Sequence, residues 1–238
     1  MCTVTYLPLG NNNFILTSNR DETPLRNTIH PQEYLENGVL LKYPKDELAG
    51  GTWVGLSDKK RLVCLLNGGF EIHKRKSSYK MSRGIIVKNI LSADDSVSYI
   101  NNFDFTEIEP FTLVLVDWKQ QLETYELVWD GITKHFTKLK QEPKIWSSST
   151  LYTQQMKQLR KEWFADFLKE NIGYQQDKIV QFHENDTLGT PDFSIKMKRP
   201  FVETVSITSI IKIASKVKMN YLDFVNNSKT KQKILIKE

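Results

Sequence analysis

Strand-like segments crowd both ends of this chain, and helical periodicity is confined to the stretch between them. The opening Cys2-Thr3-Val4-Thr5-Tyr6-Leu7 alternates and is rich in β-branched residues. Gly10-Asn11-Asn12-Asn13 then reads as a turn into a return strand at 14–18. Further strands are expected at 39–43, 52–57, 60–67, 111–117 and 122–128, and near the end at 201–213, 219–224 and 233–237. Helical spacing marks 83–91, 94–102, 175–183 and, longest, 151–171, where Leu159, Trp163, Phe164, Phe167 and Leu168 fall three and four apart. Residues 23–38, with Pro24 and Pro31, read as a long loop. Helices segregated from strands predict an α+β fold. The strands are too contiguous for regular βαβ alternation, which argues against a dinucleotide-binding fold.

At 238 residues the chain suits a single domain, 1–238, and can bury a core without disulfide or structural metal. It has two cysteines, Cys2 and Cys64, with no CxxC or Cys/His cluster. No run of 18 apolar residues suggests a transmembrane helix, and the first twenty residues do not resemble a secretory signal. A cytoplasmic address is the expectation. The net charge of +5 is uneven, since residues 191–238 hold ten Lys/Arg against four Asp/Glu. A second basic knot is His73-Lys74-Arg75-Lys76, followed by Lys80 and Arg83. Such clusters attract phosphates and acidic ligands, although a solvated lysine-rich surface has the same signature.

Cys2 is the most informative chemical feature. Removal of Met1 would leave its thiol beside a free α-amine, whose pKa near 7.7–8.0 lets it accept a proton around neutrality. Nucleophile and base would then share one residue. Asp21, at the end of the return strand, is placed to hold the amine or thiol. Arg20 could receive a substrate carboxylate or pair with Glu22. Asn67, followed by Gly68-Gly69, closes a strand with an amide that could donate to an oxyanion, and the same tripeptide also reads simply as a turn. His73 follows closely and could face the same site. The other histidines, His30, His135 and His183, show no metal-ligand spacing, and Cys64 reads as a small buried hydrophobe. Walker, GxGxxG, GxSxG and HExxH motifs are absent.

Met1-Cys2, Asn19-Arg20-Asp21-Glu22, Gly50-Gly51-Thr52-Trp53-Val54-Gly55 and Ser82-Arg83-Gly84, in that order, closely resemble the NRDE family of transport and Golgi organisation protein 2. That family is similar to the N-terminal nucleophile (Ntn) hydrolases of the cholylglycine hydrolase and penicillin V acylase type. The resemblance implies a four-layer αββα sandwich with two mostly antiparallel sheets. It implies Cys2 as nucleophile, Asp21 as positioning carboxylate and Asn67 as oxyanion donor. Asn19, Arg20, Arg83, His73 and Ser149 are the substrate-binding candidates. Two positions depart from the acylase pattern: Ser18 replaces an arginine, and Ser149 stands where a second asparagine is expected.

Two functions follow as expectations. One is hydrolysis of an amide or thioester through Cys2. The alternative is carriage of an anionic or amphiphilic small molecule, haem or an acyl-coenzyme A-like ligand, with the basic knot holding propionates or phosphates. No cofactor is required in either case. Nucleic-acid binding lacks a recognisable motif.

Overall fold

A computed structural model describes residues 3–235, with side chains described through residue 230. In chain order the strands are β1 (Thr3–Gly10), β2 (Asn13–Glu22), β3 (Thr28–Glu36), β4 (Val39–Asp46), β5 (Val54–Ser57), β6 (Arg61–Asn67) and β7 (Phe111–Asp117). They continue as β8 (Glu123–Trp129), β9 (Lys134–Leu139), β10 (Lys144–Ser147), β11 (Glu203–Ile213), β12 (Lys216–Asp223) and β13 (Ser228–Leu235). The helices are α1 (Arg83–Ser92), α2 (Ser96–Asn102), α3 (Gln154–Glu170) and α4 (Gln176–His183). The fold is α+β with two antiparallel sheets. Two compact units divide it, one made of Met1–Leu25 with Glu142–Glu238 and the other of Arg26–Gln141.

In the first unit the strand order is β10-β1-β2-β11-β12-β13. Asn11 and Asn12 turn β1 into β2 at φ 49° and 59°, the left-handed region that asparagine tolerates well. Leu7 and Ile15 pair across this hairpin and are buried with Phe164 and Phe167 of α3 and Ile179 and Phe182 of α4. Side chains alternate along a strand, so Thr3, Thr5, Thr17 and Asn19 lie on that same face. The helix-covered side is therefore apolar near the hairpin turn and polar towards the start of β1. Polar groups buried there need partners, and the site below supplies them.

The second unit orders its strands β3-β4-β5-β6-β7-β8-β9. Helix α1 buries Ile86, Val87, Ile90 and Leu91 against this sheet. Its last turn is held by Arg61 of β6, whose guanidinium donates to the carbonyls of Ile90 (3.2 Å) and Ala93 (2.7 Å). Carbonyls of a helix end have no partner within the helix, so a buried arginine satisfies them. Its first turn is pressed on the segment before β5. A Cβ on Gly84 would lie 2.8 Å from the Thr52 nitrogen, and one on Gly51 would lie 2.7 Å from the Gly84 carbonyl carbon. Only glycines allow that approach.

The structure adds β9 and β10 to the strands expected from sequence and corrects one segment outright. Residues 23–38 contain a strand, β3, instead of forming a loop throughout. Pro31 falls where the β3–β4 register shifts between Ile29 and Gln32, and β3 is an edge strand. A proline is tolerated at such a bulge because no ladder hydrogen bond is required of it.

Candidate functional site

Cys2 lies outside the described residues; its neighbour Thr3 begins β1, opposite Asn19 of β2 and Ser147 of β10. The surroundings of Thr3 are built by one side chain that the sequence reading missed. Arg160 of α3 is fully buried. Its guanidinium donates to Thr3 Oγ1, to Ser147 Oγ at 3.1 Å, and to the carbonyls of Phe193 and Ser194 at 2.6 and 2.7 Å. It also stacks over the Tyr152 ring at 4.1 Å, a cation–π contact in a desolvated setting.

Tyr152 leads on to Asp21. The Tyr152 hydroxyl donates to Asp21 Oδ2 at 3.0 Å, and the Thr204 hydroxyl of β11 donates to Oδ1 at 2.7 Å. Asp21 is buried, and these two donors fix the plane of its carboxylate.

Asn19 is fully buried in a second arm of the same network. Its amide nitrogen donates to the carbonyls of His183 (3.1 Å) and Ile195 (2.8 Å). That orientation turns Oδ1 towards His183 Nδ1, 2.5 Å away, so Nδ1 carries the hydrogen. Nε2 is then the acceptor, and it receives the Thr5 hydroxyl at 2.7 Å. The asparagine therefore ties β2 to the last residue of α4.

Burial, with the Arg160 charge adding to it, pulls the His183 pKa down to about 3. The folded state keeps this imidazole neutral, whereas an unfolded histidine protonates near 6.5. Stability from this group is complete above pH 6.5 and declines as pH falls towards 3. The decline is at most about 1.4 kcal/mol per pH unit, or about 2–3 kcal/mol between pH 7 and 4.5. Urea midpoints at those two pH values check it against His183→Gln, which should lose that part of the pH dependence. An identical pH dependence in both proteins would contradict the assignment.

On the opposite face of the sheet, Ser18, Ser206 and Thr208 form a group. Ser18 stands opposite Thr208, and Ser206 opposite Arg20. All three hydroxyls are buried without a hydrogen-bond partner among the described residues. Arg20 is buried too. Ser149, beyond β10, accepts from Lys157 Nζ at 2.8 Å.

The remaining candidates belong to the second unit. Asn67 ends β6, and Gly68 turns the chain at φ 85° with its N–H donating to the Pro110 carbonyl at 3.0 Å. That N–H is therefore engaged within the turn. Arg83 donates to the same Pro110 carbonyl at 3.0 Å and pairs with Glu109 Oε2 at 3.1 Å. His73 approaches Glu109 Oε1 at 3.4 Å. Burial lowers the Arg83 pKa and Glu109 opposes that shift. Glu109, which sequence reading did not single out, thus gathers His73 and Arg83 beside the Asn67 turn. Asn19, Arg20, Asp21 and Ser149 stand in the first unit and Asn67, His73 and Arg83 in the second. Among the described residues no three of His, Cys, Asp and Glu gather as metal ligands. No helix among them is long and apolar enough to cross a membrane.

A family model described as Transport and Golgi organisation 2 matches residues 1–223. No curated protein sequence matches the chain. Solved structures with the same fold are Ntn hydrolases. A penicillin V acylase from Agrobacterium tumefaciens is 10% identical with a TM-score of 0.61, over 98% of this chain and 86% of that one. An N-acylethanolamine-hydrolyzing acid amidase ortholog from Caenorhabditis elegans is 13% identical with a TM-score of 0.59, over 88% and 92%. A conjugated bile acid hydrolase from Clostridium perfringens is 9% identical with a TM-score of 0.55, over 100% and 94%.

Proposed function

The chain belongs to the Transport and Golgi organisation 2 family, and from that premise we propose that it is a cysteine hydrolase cleaving an amide or thioester through Cys2. The observation that carries the reading is the anchoring of Thr3 and Asp21 in one buried network, through Arg160 and Tyr152. Thr3 is the residue that follows the proposed nucleophile in the chain.

In this reading Met1 is removed. The Cys2 thiol passes its proton to the α-amine and attacks the acyl carbon, while Asp21 holds the amine in place. The Asn67 amide donates to the oxyanion. As the tetrahedral species collapses, the leaving amine or thiol takes the proton from the α-amine. Water, deprotonated by the same amine, then releases the acyl group as a carboxylic acid and restores the thiol.

The test is intact mass of the purified protein, followed by turnover of a panel of N-acyl amides and acyl thioesters. Cys2→Ala is expected to lower kcat by at least about 10⁴-fold, and Asn67→Ala by about 10²–10³-fold. Active protein that retains Met1, or turnover unchanged in Cys2→Ala, would overturn the reading.

A second reading, carriage of haem or an acyl-coenzyme A-like amphiphile, is favoured by Ser18. The acylase pattern has an arginine there, and the buried Ser18, Ser206 and Thr208 hydroxyls, with Arg20 on the same face, are polar groups that a ligand head could engage. Binding of haem or acyl-coenzyme A undiminished in Cys2→Ala, with no turnover by the parent, would favour carriage.

A further inference from the structure

The loop after β6 carries an exposed apolar tip beside Lys74, Arg75 and Lys76, and none of these side chains is assigned a role in the site described above. Phe70, Ile72 and Ile132 are 50%, 75% and 89% exposed. Large apolar side chains clustered in water call for an explanation, whereas isolated ones do not.

Their cluster is built on a fixed base. At Gly69 the loop packs closely on the start of the β8–β9 turn, since a Cβ there would lie 3.0 Å from the Asp130 Cα. Phe70 meets His135 edge-on, with ring centroids 4.9 Å apart. His135 pairs with Asp130 Oδ2 at 2.8 Å, and Asp130 Oδ1 accepts the backbone N–H groups of Ile132 and Thr133 at 2.8 and 2.7 Å. Phe70 and Ile132 are therefore both held by one Asp130–His135 pair, and Ile72 follows two residues on.

Lys74, Arg75 and Lys76 come next and are exposed. Arg75 is only loosely drawn to Glu109, at 4.0 Å. The loop then folds back, with the Lys76 N–H donating to the Tyr79 hydroxyl at 2.9 Å. Glu71 is the one acidic residue within 70–76. Apolar tips with three adjacent cations match a surface that is anionic at the outside and apolar just beneath it.

We propose that Phe70, Ile72 and Ile132, with Lys74, Arg75 and Lys76, form a docking surface for an anionic lipid bilayer. The apolar side chains enter the boundary between headgroups and acyl chains, and the cations rest among the headgroup phosphates and carboxylates. Neither signal is strong alone, so attachment is reversible and depends on both.

Co-sedimentation with vesicles of phosphatidylcholine containing about 30% phosphatidylserine, against pure phosphatidylcholine, at about 150 mM salt tests the proposal. The protein is expected to sediment with the anionic vesicles only and to be released at high salt. Replacing Lys74, Arg75 and Lys76 by Gln should lower the partition coefficient by about 100-fold, at about five-fold per cation. Phe70→Ser with Ile132→Ser should lower it by about tenfold. Melting temperatures of the variants establish that each is folded under the assay conditions. Failure to bind the anionic vesicles, equal binding to both vesicle types, or undiminished binding by either variant would overturn the proposal. So would release by millimolar inorganic phosphate at constant ionic strength, which would mark a site for free anions.

Discussion

Arg160→Ala is expected to lower the unfolding free energy by about 3–5 kcal/mol, the range for removing a buried charge from its hydrogen-bond partners. The guanidinium serves Thr3, Ser147, Phe193 and Ser194, and alanine leaves all four oxygens buried without that donor. Lysine is a poor substitute. It presents three donors from a single point, whereas the acceptors here surround a planar fork and the Tyr152 ring lies beneath it. Urea titration of parent, Arg160→Ala and Arg160→Lys checks the prediction, with lysine recovering less than half of the loss. A change below about 1 kcal/mol in Arg160→Ala, the level of an ordinary surface substitution, would show that the network is dispensable. Activity is expected to fall with it, because Thr3 and Tyr152 lose their common anchor.

Gly84→Ala is the second large effect, at about 2–3 kcal/mol, typical of overpacking that nearby atoms cannot relieve. The new methyl would meet the Thr52 nitrogen at 2.8 Å and the Thr52 oxygen at 2.9 Å. Both are backbone atoms, so no side chain can swing aside. Either α1 shifts or the Gly51–Thr52 segment does, and the bond from the Thr52 N–H to the Gly84 carbonyl goes with it. For a chain of this length the melting temperature should drop by about 4–12 °C. Gly51→Ala should do the same from the other side, and the double variant should cost less than the sum because both relieve one contact. Unchanged melting in either single variant would contradict the close approach.

Much of the fold was legible because its elements obey local rules. The β1–β2 hairpin follows from alternation and an asparagine-rich turn, and α3 follows from its aromatic spacing. β9 and β10 escaped notice for an equally local reason. β9 is an edge strand with Lys134 and Lys138 along it, and β10 is only four residues long, so neither gives an apolar rhythm. The site was half legible. Short motifs marked Asn19 and Asp21 in the first unit and Asn67 and Arg83 in the second. Tyr152, Thr204, His183 and Arg160 reach Asp21, Asn19 and Thr3 only through tertiary packing, which no motif encodes. One clue was present: Arg160 stands four and seven residues before Phe164 and Phe167, inside the stripe that α3 buries. A cation in an apolar stripe signals a buried partner set.

The two units also differ in how long their strands must wait for one another. In the second, each strand pairs with its immediate successor or predecessor among the strands, and only β6 and β7 are separated by helices, α1 and α2. In the first, β2 pairs with β11, so Asp21 is joined to Thr204. At about 5–20 residues per second on the ribosome, β2 is made roughly 10–40 s before its partner. During that interval the hairpin exposes the backbone edges that β10 and β11 later cover, and an open edge invites pairing with another chain. Folding of this protein in the cell should therefore be limited by the closing of the first sheet, and nascent chains truncated before residue 203 should depend on chaperones to stay unaggregated.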